Sequence, residues 1–296
     1  MWFLFTVITI IAWGGSDLFS KIGSRPNDKN SHWKMVTAVG LVMGTHAIVQ
    51  LIAGVEFSLM DIITYLPVSA MYIISMLFGY IGLRYIELSI SSPICNSSGA
   101  LTALLCFVFL KETMTGLQFF AVVLISLGVF GLALIEKKQA NIERAHAGEQ
   151  VPVKYSKSFL AVLFPILYLI IDGLGTFMDS IFLDRYIGEL QANIAYELTF
   201  LIVGIIALCY VVFVKKEKII VLNEKAKFFG ALCETAGQFT YIFAISSNTI
   251  VAAPAIASYS IFSVILSRVF LKEKLSKKHY VVIAIVLVGI AILGIE

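Results

Sequence analysis

Residues Tyr168 to Ser180 read YLIIDGLGTFMDS and set two aspartates seven residues apart in an otherwise apolar run. Seven residues turn an α-helix through about 700° and advance it roughly 10 Å, so Asp172 and Asp179 share a stripe. Tyr168 precedes them by one turn and Gly175 lies between. Both carboxylates are expected to face one cavity, Asp172 near its middle and Asp179 nearer an entrance, with Gly175 keeping the wall open. The same spacing recurs elsewhere. Trp13, Asp17 and Ser20 follow at intervals of four and three; so do Glu234, Gln238 and Tyr241, flanked by Gly230 and Gly237. Glu197 stands one turn after Asn193, and His46 one turn before Gln50. Carboxylates with hydroxyls and rings on one stripe bind cations and protons.

The background makes those acids expensive. Of 296 residues, 59% are hydrophobic and 14% charged, with a mean hydropathy of +0.93; soluble domains carry about 25% charged residues. The chain reads as an integral membrane protein, and its net charge of +3 gives no reason to expect nucleic acid. An aspartate at a membrane-helix centre costs about 2.5–3.5 kcal/mol on insertion, so it faces a cavity, a partner or a proton path. Asp17, Asp172, Asp179, Glu197 and Glu234 all fall in apolar segments, and no lysine or arginine falls near a segment's middle. Such a field favours a cation, and Trp13 with Tyr72, Tyr168, Tyr196, Tyr241 and Tyr259 offers ring faces for amines. The candidate substrate-binding set is Trp13, Asp17, Tyr168, Asp172, Asp179, Glu197, Glu234, Gln238 and Tyr241. Asp172, Glu234 and His46 are candidates for proton coupling, because a buried carboxylate without a cation can take a proton in one state and release it in another. Cys95, Cys106, Cys209 and Cys233 show no paired spacing, so no disulfide, metal or cofactor is expected. No reactive set for an intramembrane enzyme is present, and no catalytic residue is assigned.

The elements that must position these residues are all-α. Ten segments are long enough to cross a bilayer: roughly 2–23, 33–54, 65–86, 90–110, 115–135, 158–182, 191–213, 226–246, 249–271 and 278–295. Residues 136–157 are charged, lack apolar periodicity, and read as a linker between five helices and five. FLKE occurs at Phe109–Glu112 and again at Phe270–Glu273, 161 residues on, and that offset also carries Pro93 onto Pro254, Tyr80 onto Tyr241, Gly14 onto Gly175 and Gly128 onto Gly289. The organisation expected is a first repeat at 1–135, the linker at 136–157 and a second repeat at 158–296. An odd number of spans per repeat inverts the second, a symmetry that in transporters puts the site near the midplane and supports alternating access. Pro93 and Pro254 are expected to start the fourth and ninth spans, where a missing N–H costs nothing.

Ten spans as five plus five, Trp13-Gly14 in the first helix, and proline-started fourth and ninth helices that end in apolar-Leu-Lys-Glu resemble the EamA-like branch of the drug/metabolite transporter superfamily. The resemblance covers nearly the whole chain. It departs at His32, Trp33 and Lys34, where relatives often carry arginine, and in the 54–61 connection, which lacks a basic cluster. It implies a secondary transporter of small metabolites in the cell membrane, of the bacterial inner-membrane kind, with a small-molecule substrate, protons and lipid as partners, as a monomer or homodimer. The acids point to a cationic or amine-containing substrate. A neutral or zwitterionic one such as an amino acid or sugar is the alternative, followed by a non-transporting partner protein. On orientation the family and the charges differ. Of the 22 lysines and arginines, 20 follow odd-numbered spans, which puts the linker in the cytoplasm and both termini outside; the family implies termini inside.

Overall fold

The computed structural model of this chain describes residues 1–24, 28–85, 88–146, 158–219, 221–272 and 276–295. Among them regular structure is helical throughout. The helices are α1 (Trp2–Gly23), α2 (Ser31–Ile52), α3 (Leu59–Gly82), α4 (Leu88–Asn96), α5 (Ser98–Leu105), α6 (Gly116–His146), α7 (Ser158–Arg185), α8 (Glu189–Cys209), α9 (Lys225–Ala257), α10 (Tyr259–Leu266) and α11 (Lys277–Ile295). Among the described residues seven stretches are long and apolar enough to cross a membrane, against the ten expected of the whole chain. The eighth and ninth expected spans lie in one of them, the 51-residue run Val221–Leu271, which leaves helical geometry at Asn248 (φ −165°, ψ 79°). The stretch read as a linker from 136 begins as helix, since α6 runs on to His146; residues 147–157 lie outside the described residues, as does Glu273 of the second FLKE.

The 161-residue offset holds in the backbone. α5 and α10 each start just after a one-residue interruption, at Ser97 and Ser258, and each runs into a π-helical turn, Cys106–Leu110 and Ser267–Leu271. Each π turn stops at a left-handed lysine, Lys111 (φ 56°) and Lys272 (φ 58°). The prolines do not sit where expected. Pro93 is the sixth residue of α4, and Pro254 the sixth after Asn248. Proline withholds the N–H owed to the carbonyl four residues back, and both helices give way four residues further on. There the backbone N–H of Ser97 reaches only the third carbonyl back, Ile94, at 3.2 Å, and that of Ser258 reaches Ala255 at 3.1 Å.

The halves are interwoven: α1 packs chiefly on α9, α2 on α8, α3 on α7 and α6 on α11. Glycine permits the closest crossing. A Cβ on Gly40 would lie 2.5 Å from the Phe200 carbonyl oxygen and 2.8 Å from the Cα of Gly204, so α2 and α8 meet backbone to backbone. Gly175 serves packing too, since it faces Met71 and Tyr72 of α3 and does not open a wall. At one end a polar clip ties the 24–34 connection to the 215–225 connection. Lys34 lies 2.9 Å from both Asp28 and Glu217, Asn30 donates to Glu217 at 2.7 Å, and Lys227 pairs with Glu224. The Lys34 and Asn30 donors hold the Glu217 carboxyl below the usual carboxylate range.

Candidate functional site

A cavity of about 90 Å³ lies where the two halves meet. Its walls carry three carboxylates from three helices: Asp17 of α1, Asp172 of α7 and Glu234 of α9. Among the described residues no lysine, arginine or histidine lines it. Serines hold each acid in place. Ser92 and Ser263 donate to Asp17 at 2.5 and 2.7 Å, Ser98 and Ser75 to Asp172 at 2.8 and 3.4 Å, and Ser16 to Glu234 at 2.7 Å. These neutral donors orient the oxygens without cancelling their charge, so lone pairs remain for a guest.

The rings complete the chamber. Trp13 packs on Tyr241 at 5.0 Å and edge-on to Tyr259 at 5.6 Å; Tyr72 stands edge-on to Tyr196 and Tyr241 at 5.9 and 6.0 Å. All five line the cavity, with Tyr168 and Gln238. Seven of the nine expected substrate-binding residues are thus brought together: Trp13, Asp17, Tyr168, Asp172, Glu234, Gln238 and Tyr241.

Asp179 and Glu197 do not line it. Asp179 is fully buried one turn beyond Thr176, with Tyr65 donating to Oδ1 at 2.5 Å and Tyr72 to Oδ2 at 3.0 Å. Its stripe is right, but α3 closes over it. Glu197 is also fully buried; it meets Nδ1 of His46 at 2.7 Å and accepts from Gln50 at 3.3 Å. Two pairs read separately from the sequence, Glu197 with Asn193 and His46 with Gln50, therefore converge where α2 crosses α8, away from the cavity. His46 lies there as well, so of the proton candidates only Asp172 and Glu234 reach the chamber.

Several lining residues escaped the sequence reading. The serines of SISSPICNSSG (residues 89–99) were legible only as a polar run at the start of a span. Tyr80 lines the cavity with its hydroxyl buried and unpartnered, as is Nε2 of Gln238. Tyr80 was noted for the repeat alone, though it stands 161 residues from Tyr241, which was chosen. Among the described residues no group of three His, Cys, Asp or Glu side chains could hold a metal ion.

Searched against curated proteins, the chain matches none. One solved structure, titled only "Crystal structure of protein", is similar over 99% of this chain and 96% of its own, with a TM-score of 0.69 at 14% identity; that likeness shows a shared fold and says nothing of cargo. The model of the EamA-like transporter family matches residues 1–134 and again 157–295. With each half of the chain matched once by that family, together nearly the whole length, and with helices long and apolar enough to cross a bilayer, the chain belongs to the EamA-like transporters and is a multi-pass membrane protein.

Proposed function

We propose that the protein moves a small organic cation across the cell membrane by alternating access, coupled to protons. One observation carries this: Asp17, Asp172 and Glu234 share a chamber that no basic side chain lines. Three carboxylates there repel one another unless a cation or protons intervene, and aromatic walls suit an ammonium group. Asp172 and Glu234 are the residues proposed to take the coupling proton. We further propose ten passes arranged as inverted repeats at 1–135 and 158–296, acting as monomer or homodimer. The matching interruptions at Ser97 and Ser258 support the repeats.

A second reading rests on the unpartnered donors of Tyr80 and Gln238. They favour a substrate that also bears an acceptor, such as a zwitterion. Thermal stabilisation of the purified protein separates the two: the cation reading expects tetramethylammonium and propylammonium to stabilise it, and stabilisation by amino acids or sugars alone would favour the alternative.

A further inference from the structure

Among the described residues of the apolar helices, Asp179 is a fully buried carboxylate that neither enters the cavity nor meets a charged partner. Tyrosine hydroxyls nevertheless connect it to the cavity wall. Tyr72, which donates to Asp179, lies 2.6 Å from the Tyr241 hydroxyl, and Tyr241 donates at 2.9 Å to Oγ1 of Thr176, which lies 3.3 Å from the Tyr72 hydroxyl as well. Tyr72, Tyr241 and Thr176 all line the cavity. The titratable and charged groups around Asp179 among the described residues are Tyr65 and Tyr72 of α3 and Tyr241 of α9, with Tyr196 of α8 against Tyr72, Asp172 two turns back along α7, and Glu112, Asp184 and Arg185 around the depression at Ser180.

Each hydroxyl owns one proton, and counting them fixes the direction of the chain. With Asp179 ionised, Tyr65 and Tyr72 both donate to it. Tyr72 then has nothing left for Tyr241, so Tyr241 turns its proton from Thr176 to Tyr72 and frees a lone pair of Thr176. Thr176 presents lone pairs to the cavity. With Asp179 protonated, its O–H is given to Tyr72, Tyr72 donates to Tyr241, and Tyr241 donates to Thr176. Thr176 now turns its own proton towards the cavity. An acceptor wall welcomes an ammonium ion and a donor wall opposes it.

We infer that Asp179 is a proton-binding site outside the substrate chamber, and that the Tyr72–Tyr241–Thr176 hydroxyl chain sets its proton against the bound cation. The inference rests on the cation reading and adds a coupling residue to it. By linkage the antagonism is reciprocal: cation binding expels the proton and protonation expels the cation, which is exchange transport. Asp179 is sealed between α3 of the first half and α7 of the second, so its proton exchanges with water when those helices part. Along α7 the cavity ends at Thr176 and a second, polar depression begins at Ser180; Asp179 occupies the single turn dividing them.

The test is infrared difference spectroscopy on the purified full chain, following the C=O stretch of protonated carboxyl groups. A pH step on ligand-free protein identifies the Asp179 band as the one absent in Asp179→Asn. Tetramethylammonium, whose fixed charge carries no proton to give, is then added. The expected result is loss of that band in the wild type and its retention in Tyr72→Phe, which keeps every carboxylate but breaks the chain, with protons released per cation bound falling by about one. Binding of tetramethylammonium with the band unmoved, or equal loss in Tyr72→Phe, overturns the inference and leaves the cation reading intact. Failure of both tetramethylammonium and propylammonium to bind the wild type overturns the cation reading, and the antagonism with it. Absence of an Asp179 band at every pH overturns the proton site alone.

Discussion

Asp172 and Glu234 sit in the chamber with oxygens oriented by serines, so in the proposed function each takes a separable share in holding the cation. A hydrogen bond to a charged group contributes about 1.5–3 kcal/mol, so Asp172→Asn or Glu234→Gln is expected to weaken binding of propylammonium, which has N–H donors, by about 10- to 100-fold without loss of folded protein, as measured by titration calorimetry. The His46–Glu197 pair calls for a different assay. Removing one partner of a buried ion pair costs about 3–5 kcal/mol; the His46 side chain is 33% exposed while that of Glu197 is 0% exposed, so water softens the loss. His46→Ala is expected to lower the melting temperature clearly, and His46→Gln, which keeps a donor for Glu197, to lower it less; equal losses would refute a pairing role. The sequence showed that these acids are costly and which stripe each occupies. It did not show what stands opposite. Asp172 and Asp179 share a stripe, yet Asp172 meets the cavity with Ser98 and Ser75, whereas Asp179 meets Tyr65 and Tyr72, because α3 presents a small serine to the first and two large rings to the second.

Helix type and order were legible because spans of about 20 apolar residues declare themselves. Their interruptions were harder to read. Proline at a helix start and proline in the second turn leave the same mark in a sequence; here the second holds, and the break falls at Ser97 and Ser258, serines with nothing in their type to announce it. The repeat offset had the information, since both breaks, both π turns and both left-handed lysines are 161 residues apart, but it says only that the halves agree and not what they agree on. Close crossings give the sharpest prediction for elements. Gly40→Val pushes a side chain into the Phe200 carbonyl and Gly204, and overpacking costs about 1–3 kcal/mol. Gly131 of α6 has no heavy atom within 4 Å of a Cβ added to it, so Gly131→Ala is expected to be neutral or stabilising by up to about 1 kcal/mol. Melting curves of the two variants in detergent check the pair.

The pairing of α1 with α9, α2 with α8 and α3 with α7 ties each of the first three helices of one half to a helix of the other, so the cavity belongs to both halves, and in the proposed alternating access its opening follows their tilt. Which end faces the cytoplasm decides the direction of any exchange. The polar clip of Lys34, Asp28, Glu217 and Asn30 marks one end, and the basic residues cluster there. Because the Glu217 carboxyl is held low by its donors, the clip's contribution is present above the ordinary glutamate pKa and is lost as pH falls through the depressed value. Lys34 lines one depression there with Lys29 and Lys215, and in the proposed ten-pass arrangement 20 of the 22 basic residues follow the odd-numbered spans, on that side. Lysine and arginine are retained on the cytoplasmic side during insertion, so we expect this end in the cytoplasm, against the orientation the family implies. Cysteines placed singly at Lys138 and at Glu56, both exposed and at opposite ends, distinguish the two in a background lacking the native four. In intact cells an impermeant maleimide is expected to label the Glu56→Cys protein and to spare Lys138→Cys until the membrane is permeabilised; labelling in the reverse order would show that the family's orientation holds and that the basic end faces outward.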